Sequence, residues 1–271
     1  MDDDFLKIQG RYRAEFEKAK LYQQRAWLMD VGIALSALIS LLVDPGTLTY
    51  LFSILALVLT ILKRYISYRS SDFRGIAERA RRLLTLTNGL GYKVSKNEIV
   101  DLKASFNVSE AEGRNWEDPN YFSSTQDKGY ERFAEILLES VFFSKFLFKE
   151  SARQTWTWFI GVFSISILAM FILVSYPSQE TILALAEVIS AILILLVSID
   201  LLGRALSFTE ASNSLTRIFD RAKHFDSPKF DQHDLIYLWG DYNAIIQNTP
   251  LIPTGIYDKH KERLTNLFKQ L

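Results

Sequence analysis

Few residues in this chain have the types and spacing for chemistry, and those few suggest binding and conduction rather than catalysis. Arg114, Trp116, Tyr121 and Arg132 fall in one polar stretch and its flank. Arginine offers a bidentate fork for phosphate, and aromatic faces stack on bases. Together they are candidates for an anionic planar ligand. The alternative is that Trp116 and Tyr121 only pin their segment to a core.

A second group lies in strongly apolar sequence. Glu187 shares a helical face with Ala184, Ala191 and Ser198. Ionisable residues in such surroundings usually face a bundle interior or a water path. Gly32, Ser36 and Ser40 form a ridge of small residues that lets helices approach closely. Glu187, Ala191, Ser198 and this ridge line a pore or an oligomer interface, or they pack within one subunit. Asp30 and Asp200 sit near the ends of apolar stretches, where pairing with arginine is the simpler reading.

No Gly-rich phosphate loop, metalloprotease His-Glu-x-x-His helix or nucleophile elbow occurs, so neither catalytic residues nor an enzymatic activity are expected. Cysteine is absent, which excludes disulfides and thiolate metal sites. His233 and Asp234 beside Asp231 suit an acid-rich helix start as well as they suit a metal. No metal and no other cofactor are expected. The formal net charge is zero, so a nucleic-acid polymer is not an expected partner.

The elements that must position these residues follow from the charge pattern. Two apolar stretches, Ala26–Leu62 and Thr155–Leu202, contain none of the 31 Lys and Arg. Each is folded by a short turn, Asp44-Pro45-Gly46-Thr47 and Pro177-Ser178-Gln179-Glu180. Basic residues crowd the flanks, among them Arg11, Arg13, Lys63, Arg64, Arg153 and Arg204. An excess of Lys and Arg marks the cytoplasmic side of membrane spans. The pattern therefore predicts an all-α membrane protein with four transmembrane helices as two hairpins. The spans are Ala26–Val43, Leu48–Leu62, Thr155–Tyr176 and Ile182–Leu202. Thr155–Tyr176 is 22 residues without a charge, where about 20 suffice to cross. Leu48–Leu62 is shorter and needs Lys63 and Arg64 to snorkel. The alternative is a set of buried helices in a large α-protein. The opening Asp2-Asp3-Asp4 is unlike a signal peptide.

Segments 1–25, 63–154 and 203–271 would then assemble into one helical cytoplasmic domain, with hairpins at 26–62 and 155–202. Phe5, Ile8, Tyr12, Phe16 and Ala19 are at helical spacing and predict a helix that runs into the first span. A basic helix over 64–88 places Phe73, Ala77, Ala80 and Leu84 on one face. It ends at Gly89 and Gly91, both suited to a C-cap. Ser95–Glu98 and Asp231–Asp234 read as helix starts, and Thr254 reads as the cap of a last helix. Residues 107–127 read as a long polar loop. Phe133, Phe142, Phe143, Phe146 and Phe148 predict an aromatic helix over 130–149, lying either in the membrane interface or in a core.

Two hairpins, the stretch Tyr121-Phe122-Ser123-Ser124…Gly129…Arg132…Glu139-Ser140-Val141-Phe142-Phe143 and the ending Asp241-Tyr242-Asn243…Pro250-Leu251-Ile252-Pro253…Ile256-Tyr257 resemble one bacterial family. It is the SMODS-associated four-transmembrane effector family. The resemblance implies an effector in the inner membrane, acting in CBASS-type abortive anti-phage defence. It further implies a cyclic oligonucleotide as ligand, the lipid bilayer as partner, and a homo-oligomer that permeabilises the membrane. Competing readings are a constitutive channel or transporter, and a membrane-anchored scaffold or sensor without a pore.

Overall fold

The computed structural model describes residues 3–42, 46–119, 121–174, 189, 200–223 and 231–271. Every regular element among them is an α-helix: α1 (Asp3–Leu42), α2 (Thr47–Gly89), α3 (Lys96–Ser105), α4 (Glu110–Arg114), α5 (Tyr130–Val174), α6 (Leu201–Ala222), α7 (Gln232–Asn248) and α8 (Ile256–Phe268). Among the described residues one helix, α2, is long and apolar enough to cross a membrane, and its apolar window is not buried within the protein. Both 177–180 and most of the fourth expected span lie outside the described residues.

Three helices each join two different segments of the sequence. The amphipathic start of α1 continues without a break into the apolar stretch, as expected. In α2 the apolar and basic segments form one helix of 43 residues. In α5 the aromatic and uncharged segments form one of 45. No proline falls inside any of the three, so nothing in the backbone forces a break.

The chain divides into two compact units. The first comprises residues 1–20, 70–151 and 207–271. Its core begins where α1 meets α2 and α3. Ile8, Tyr12, Ala77, Ala80, Leu84, Leu102 and Phe106 are buried together, with Phe5 and Phe16 packed against them. Burying each large apolar side chain contributes about 1.5–3 kcal/mol. The aromatic half of α5 belongs to this core. Phe133, Phe142 and Phe148 are buried, and Phe148 stacks on Phe208 of α6 at 5.9 Å. That is the core alternative of the two the sequence allowed.

Glycines permit two close approaches here. A Cβ on Gly10 of α1 would stand 2.4 Å from the Gly113 carbonyl oxygen of α4. A Cβ on Gly89 would stand 2.6 Å from Phe133. Gly89 thus serves packing, while Gly91, at φ +73°, turns the chain at the end of α2. The Tyr92 N–H donates back to the Leu86 carbonyl at 3.3 Å.

Local starts divide between expectation and correction. Ser95 accepts from the Glu98 N–H at 3.1 Å. Asp231 accepts from the His233 N–H at 2.9 Å. Thr254 does not cap the last helix. Gly255 is the N-cap at φ +85° and bonds with no side chain. The polar stretch 107–127 is not all loop, because Ser109 and Glu112 form a reciprocal capping box that starts α4.

The second unit comprises residues 21–69 and 152–206. Within it α1 meets α2 at small residues. A Cβ on Gly32 would lie 3.2 Å from Leu59, and Asp30 pairs with Lys63 at 2.5 Å. Much of its apolar surface is exposed. On α2, Tyr50, Ile54, Leu57, Ile61 and Tyr65 are 57–72% exposed. On α5, Trp158, Ile165, Leu168 and Phe171 are 61–70% exposed.

Candidate functional site

The first unit holds a cavity of about 200 Å³. Four separate stretches of chain build its wall. Phe16 and Lys20 come from α1, and Arg74, Glu78 and Arg81 from α2. Ser144, Leu147 and Phe148 come from α5. Tyr242 and Ile246 come from α7, and Pro250, Leu251, Ile252 and Tyr257 from the final segment. Helical spacing explains the α2 set, since residues three and four apart share a face. This is also the face that buries Ala77 and Leu84.

Arg81 organises the wall. Its Nη2 donates to Glu78 Oε2 at 2.8 Å and to Asn243 Oδ1 at 2.7 Å. Its guanidinium lies 5.3 Å from the Tyr242 ring centre, a cation–π distance. Burial disfavours this cation, but Tyr242 and Glu78 outweigh burial and hold its pKa above the ordinary arginine value. Tyr242 in turn shares a hydroxyl contact with Ser144 at 3.3 Å. Burial pushes its phenol up, against the opposing pull of Arg81. Burial also pushes up Tyr257 and, far more, Tyr12.

Arg74 is held differently. Its Nη2 donates to the Ile246 and Thr249 carbonyls. Burial lowers its pKa, and Glu78 only partly offsets that. Lys20 pairs with Glu17 at 2.6 Å. The cavity wall therefore carries three cations and one carboxylate, and that carboxylate is committed to Arg81. Such a wall suits an anion, with apolar surface from Phe148, Leu251 and Ile252 beside it.

The four ligand candidates from the sequence lie apart from one another in role. Tyr121 packs edge-on to Tyr12 with ring centres 6.2 Å apart, and its phenol contributes to the raised pKa of Tyr12. Trp116 and Tyr121 share Arg13, whose guanidinium is 5.6 Å from each ring. Arg13 also donates to the Trp116 carbonyl at 2.8 Å. Arg132 donates to the Ser124 and Gln126 carbonyls at 3.0 and 2.6 Å, and so fastens a loop to α5. Arg114 is exposed at the end of α4. None of the four lines the cavity.

The polar stretch is sewn to α1 by further bonds. Arg11 donates to the Val108 carbonyl at 2.8 Å. Glu15 accepts from the Asn107 and Val108 N–H groups at 2.6 and 3.0 Å. Gln9 accepts from the Asp118 N–H at 2.9 Å.

In the second unit the ridge candidates face the chain itself. Gly32 is approached by Leu59, and Ser36 is buried and donates to the Gly32 carbonyl at 2.8 Å. Ser40 is half-buried. Asp30 pairs directly with Lys63, and the charge of Arg204 is also favoured by Asp200 and Asp30. Asp200, at φ +48°, accepts from the Gly203 N–H at 3.2 Å. Glu187, Ala191 and Ser198 lie outside the described residues.

Sequence reasoning passed over Lys20, Arg74, Glu78 and Arg81. The available signal was three ionisable residues on the buried face of α2, where apolar ones belong. Tyr242, Asn243, Pro250–Ile252 and Tyr257 stood in the quoted end pattern without a role, and they converge on this wall. No family model, curated protein or solved structure matches the chain.

Proposed function

We propose that this chain is a four-span protein of the bacterial inner membrane, with both hairpins in the bilayer and the hydrophilic segments in the cytoplasm. It senses a nucleotide second messenger and oligomerises or opens to permeabilise the membrane. The observation that carries the membrane half is the unburied apolar surface of α2 between Leu48 and Leu62. Soluble monomers rarely expose contiguous apolar patches beyond a few hundred Å². The hydroxyls in this region fit the same setting. Exposed Ser53 and Thr60 donate to the Thr49 and Ala56 carbonyls of their own helix at 2.9 and 2.8 Å, which satisfies them without water.

The sensing half rests on the cationic cavity and on the family resemblance of the sequence. A ligand shifts a closed assembly towards an open one only by binding the open state better. No catalytic step is invoked. The test is dye leakage from liposomes that carry the full chain, with and without cyclic di- and trinucleotides. Leakage confined to one nucleotide is the expected result. Leakage without any ligand points to a constitutive channel. Intact vesicles under every condition, with insertion verified, point to a scaffold or sensor without a pore.

A further inference from the structure

We infer that the cavity of the first unit is the ligand site, and that Arg74 anchors a phosphate group whose attached ring lies against Phe148, Leu251 and Ile252. The inference rests on the nucleotide-sensing reading and assigns it a place. Arg74 is the informative residue. It spends one nitrogen, Nη2, on two carbonyls. Its Nε and Nη1 have no hydrogen-bond partner among the described residues, and it forms no ion pair there. Glu78, the one carboxylate on the wall, is bonded twice by Arg81 at 3.0 and 2.8 Å.

Arg74 shares the one wall carboxylate with Arg81, so its half-buried guanidinium is only partly compensated, and a phosphate can accept separate charge-assisted bonds from its Nε and Nη1. Lys20 adds a second charge from the facing helix. Tyr242 and Tyr257 line the same space. The remaining wall is apolar, which suits a flat heterocycle and not a bare ion. The ligand class is therefore a phosphate ester of a planar ring, such as one nucleotide unit of a larger molecule. Arg81 acts as a positioning residue, because its Nε and Nη2 are already bonded to Glu78 and Asn243. Arg74 lies on α2, so bound charge would act directly on the helix that also carries the Leu48–Leu62 segment.

The test is calorimetric titration of the full chain in detergent with cyclic di- and trinucleotides, AMP and inorganic pyrophosphate. Three variants are compared: Arg74→Ala, Arg74→Lys and Leu251→Trp. Loss of a charge-assisted bond of this kind weakens binding about 10- to 100-fold. Arg74→Lys keeps the charge without the separate Nε and Nη1 donors and falls between wild type and Arg74→Ala. Leu251→Trp fills the cavity without touching a charge, so it abolishes binding and also serves if Arg74→Ala fails to fold. Wild type that binds a nucleotide, with folded variants that bind it equally well, would overturn the site and leave the sensing reading standing. Wild type that binds pyrophosphate through Arg74 but no nucleotide would keep the anion site and remove that reading. Wild type that binds none of the probes removes both.

Discussion

Arg81 grips a single oxygen of Glu78 with two nitrogens, Nε at 3.0 Å and Nη2 at 2.8 Å, and Glu78 is only 2% exposed. Removing one partner of a buried pair strands the other charge and costs about 3–5 kcal/mol. Glu78→Leu is thus expected to lower the thermal midpoint of the full chain markedly. Arg81→Met is expected to do the same. The double variant should recover much of the loss, since two apolar groups of similar volume leave no bare charge. A double variant as unstable as the sum of the singles would refute this account of the wall.

The contact of α1 with α4 predicts opposite signs for alanine at different glycines. Gly10→Ala and Gly113→Ala force a Cβ into 2.4 and 2.8 Å contacts, and overpacking of that kind costs about 1–3 kcal/mol. Gly75 in α2 has nothing within 4 Å of a Cβ. Gly75→Ala should therefore stabilise the helix by roughly 0.5–1 kcal/mol. Thermal midpoints of the three variants check both signs at once.

Glu112 sets a pH dependence. The Ser109 N–H, then Lys18 and the Ser109 hydroxyl, hold its carboxyl down at about 2, against an ordinary value of 4.5. A depressed folded-state value stabilises the fold above the unfolded value. That contribution is lost as pH falls from 4.5 towards 2. Wild type should exceed Glu112→Gln in thermal midpoint at pH 7, and the gap should narrow below pH 4.5 and close towards pH 2. The group is exposed, so the gap is small and shrinks in salt. A gap that persists unchanged at low pH contradicts the assignment.

Because the chain has no cysteine, the proposed membrane topology can be tested with single introduced thiols. Gly46→Cys lies in the first of the two turns expected from the sequence, and Gly129→Cys precedes α5, where a Cβ meets nothing within 4 Å. In intact spheroplasts an impermeant maleimide should label the first and spare the second. Labelling of both, or of the second alone, is incompatible with two hairpins and a cytoplasmic central segment.

Local rules written in the sequence account for much of the helical framework. The spacing of Phe73, Ala77, Ala80 and Leu84 identified a buried face of α2, because an α-helix returns to the same side every three to four residues. Gly91 announced the end of that helix, since only a glycine takes a left-handed turn without strain. Ser95 and Asp231 announced helix starts. The Lys- and Arg-free stretches set out the pattern on which the membrane reading depends. In each case the deciding interaction spans a few residues.

Tertiary structure alone decided what those faces meet. Arg13 and Trp116 are 103 positions apart, and Arg81 and Asn243 are 162 apart. No local period relates them. Nothing local in the sequence sets Trp116 beside Arg13. Arg132 and Arg74 are equally alike on paper. Arg132 bonds the Ser124 and Gln126 carbonyls of the loop it fastens, and Arg74 bonds the Ile246 and Thr249 carbonyls beside a cavity. That difference arises from which chain segments converge around each cation.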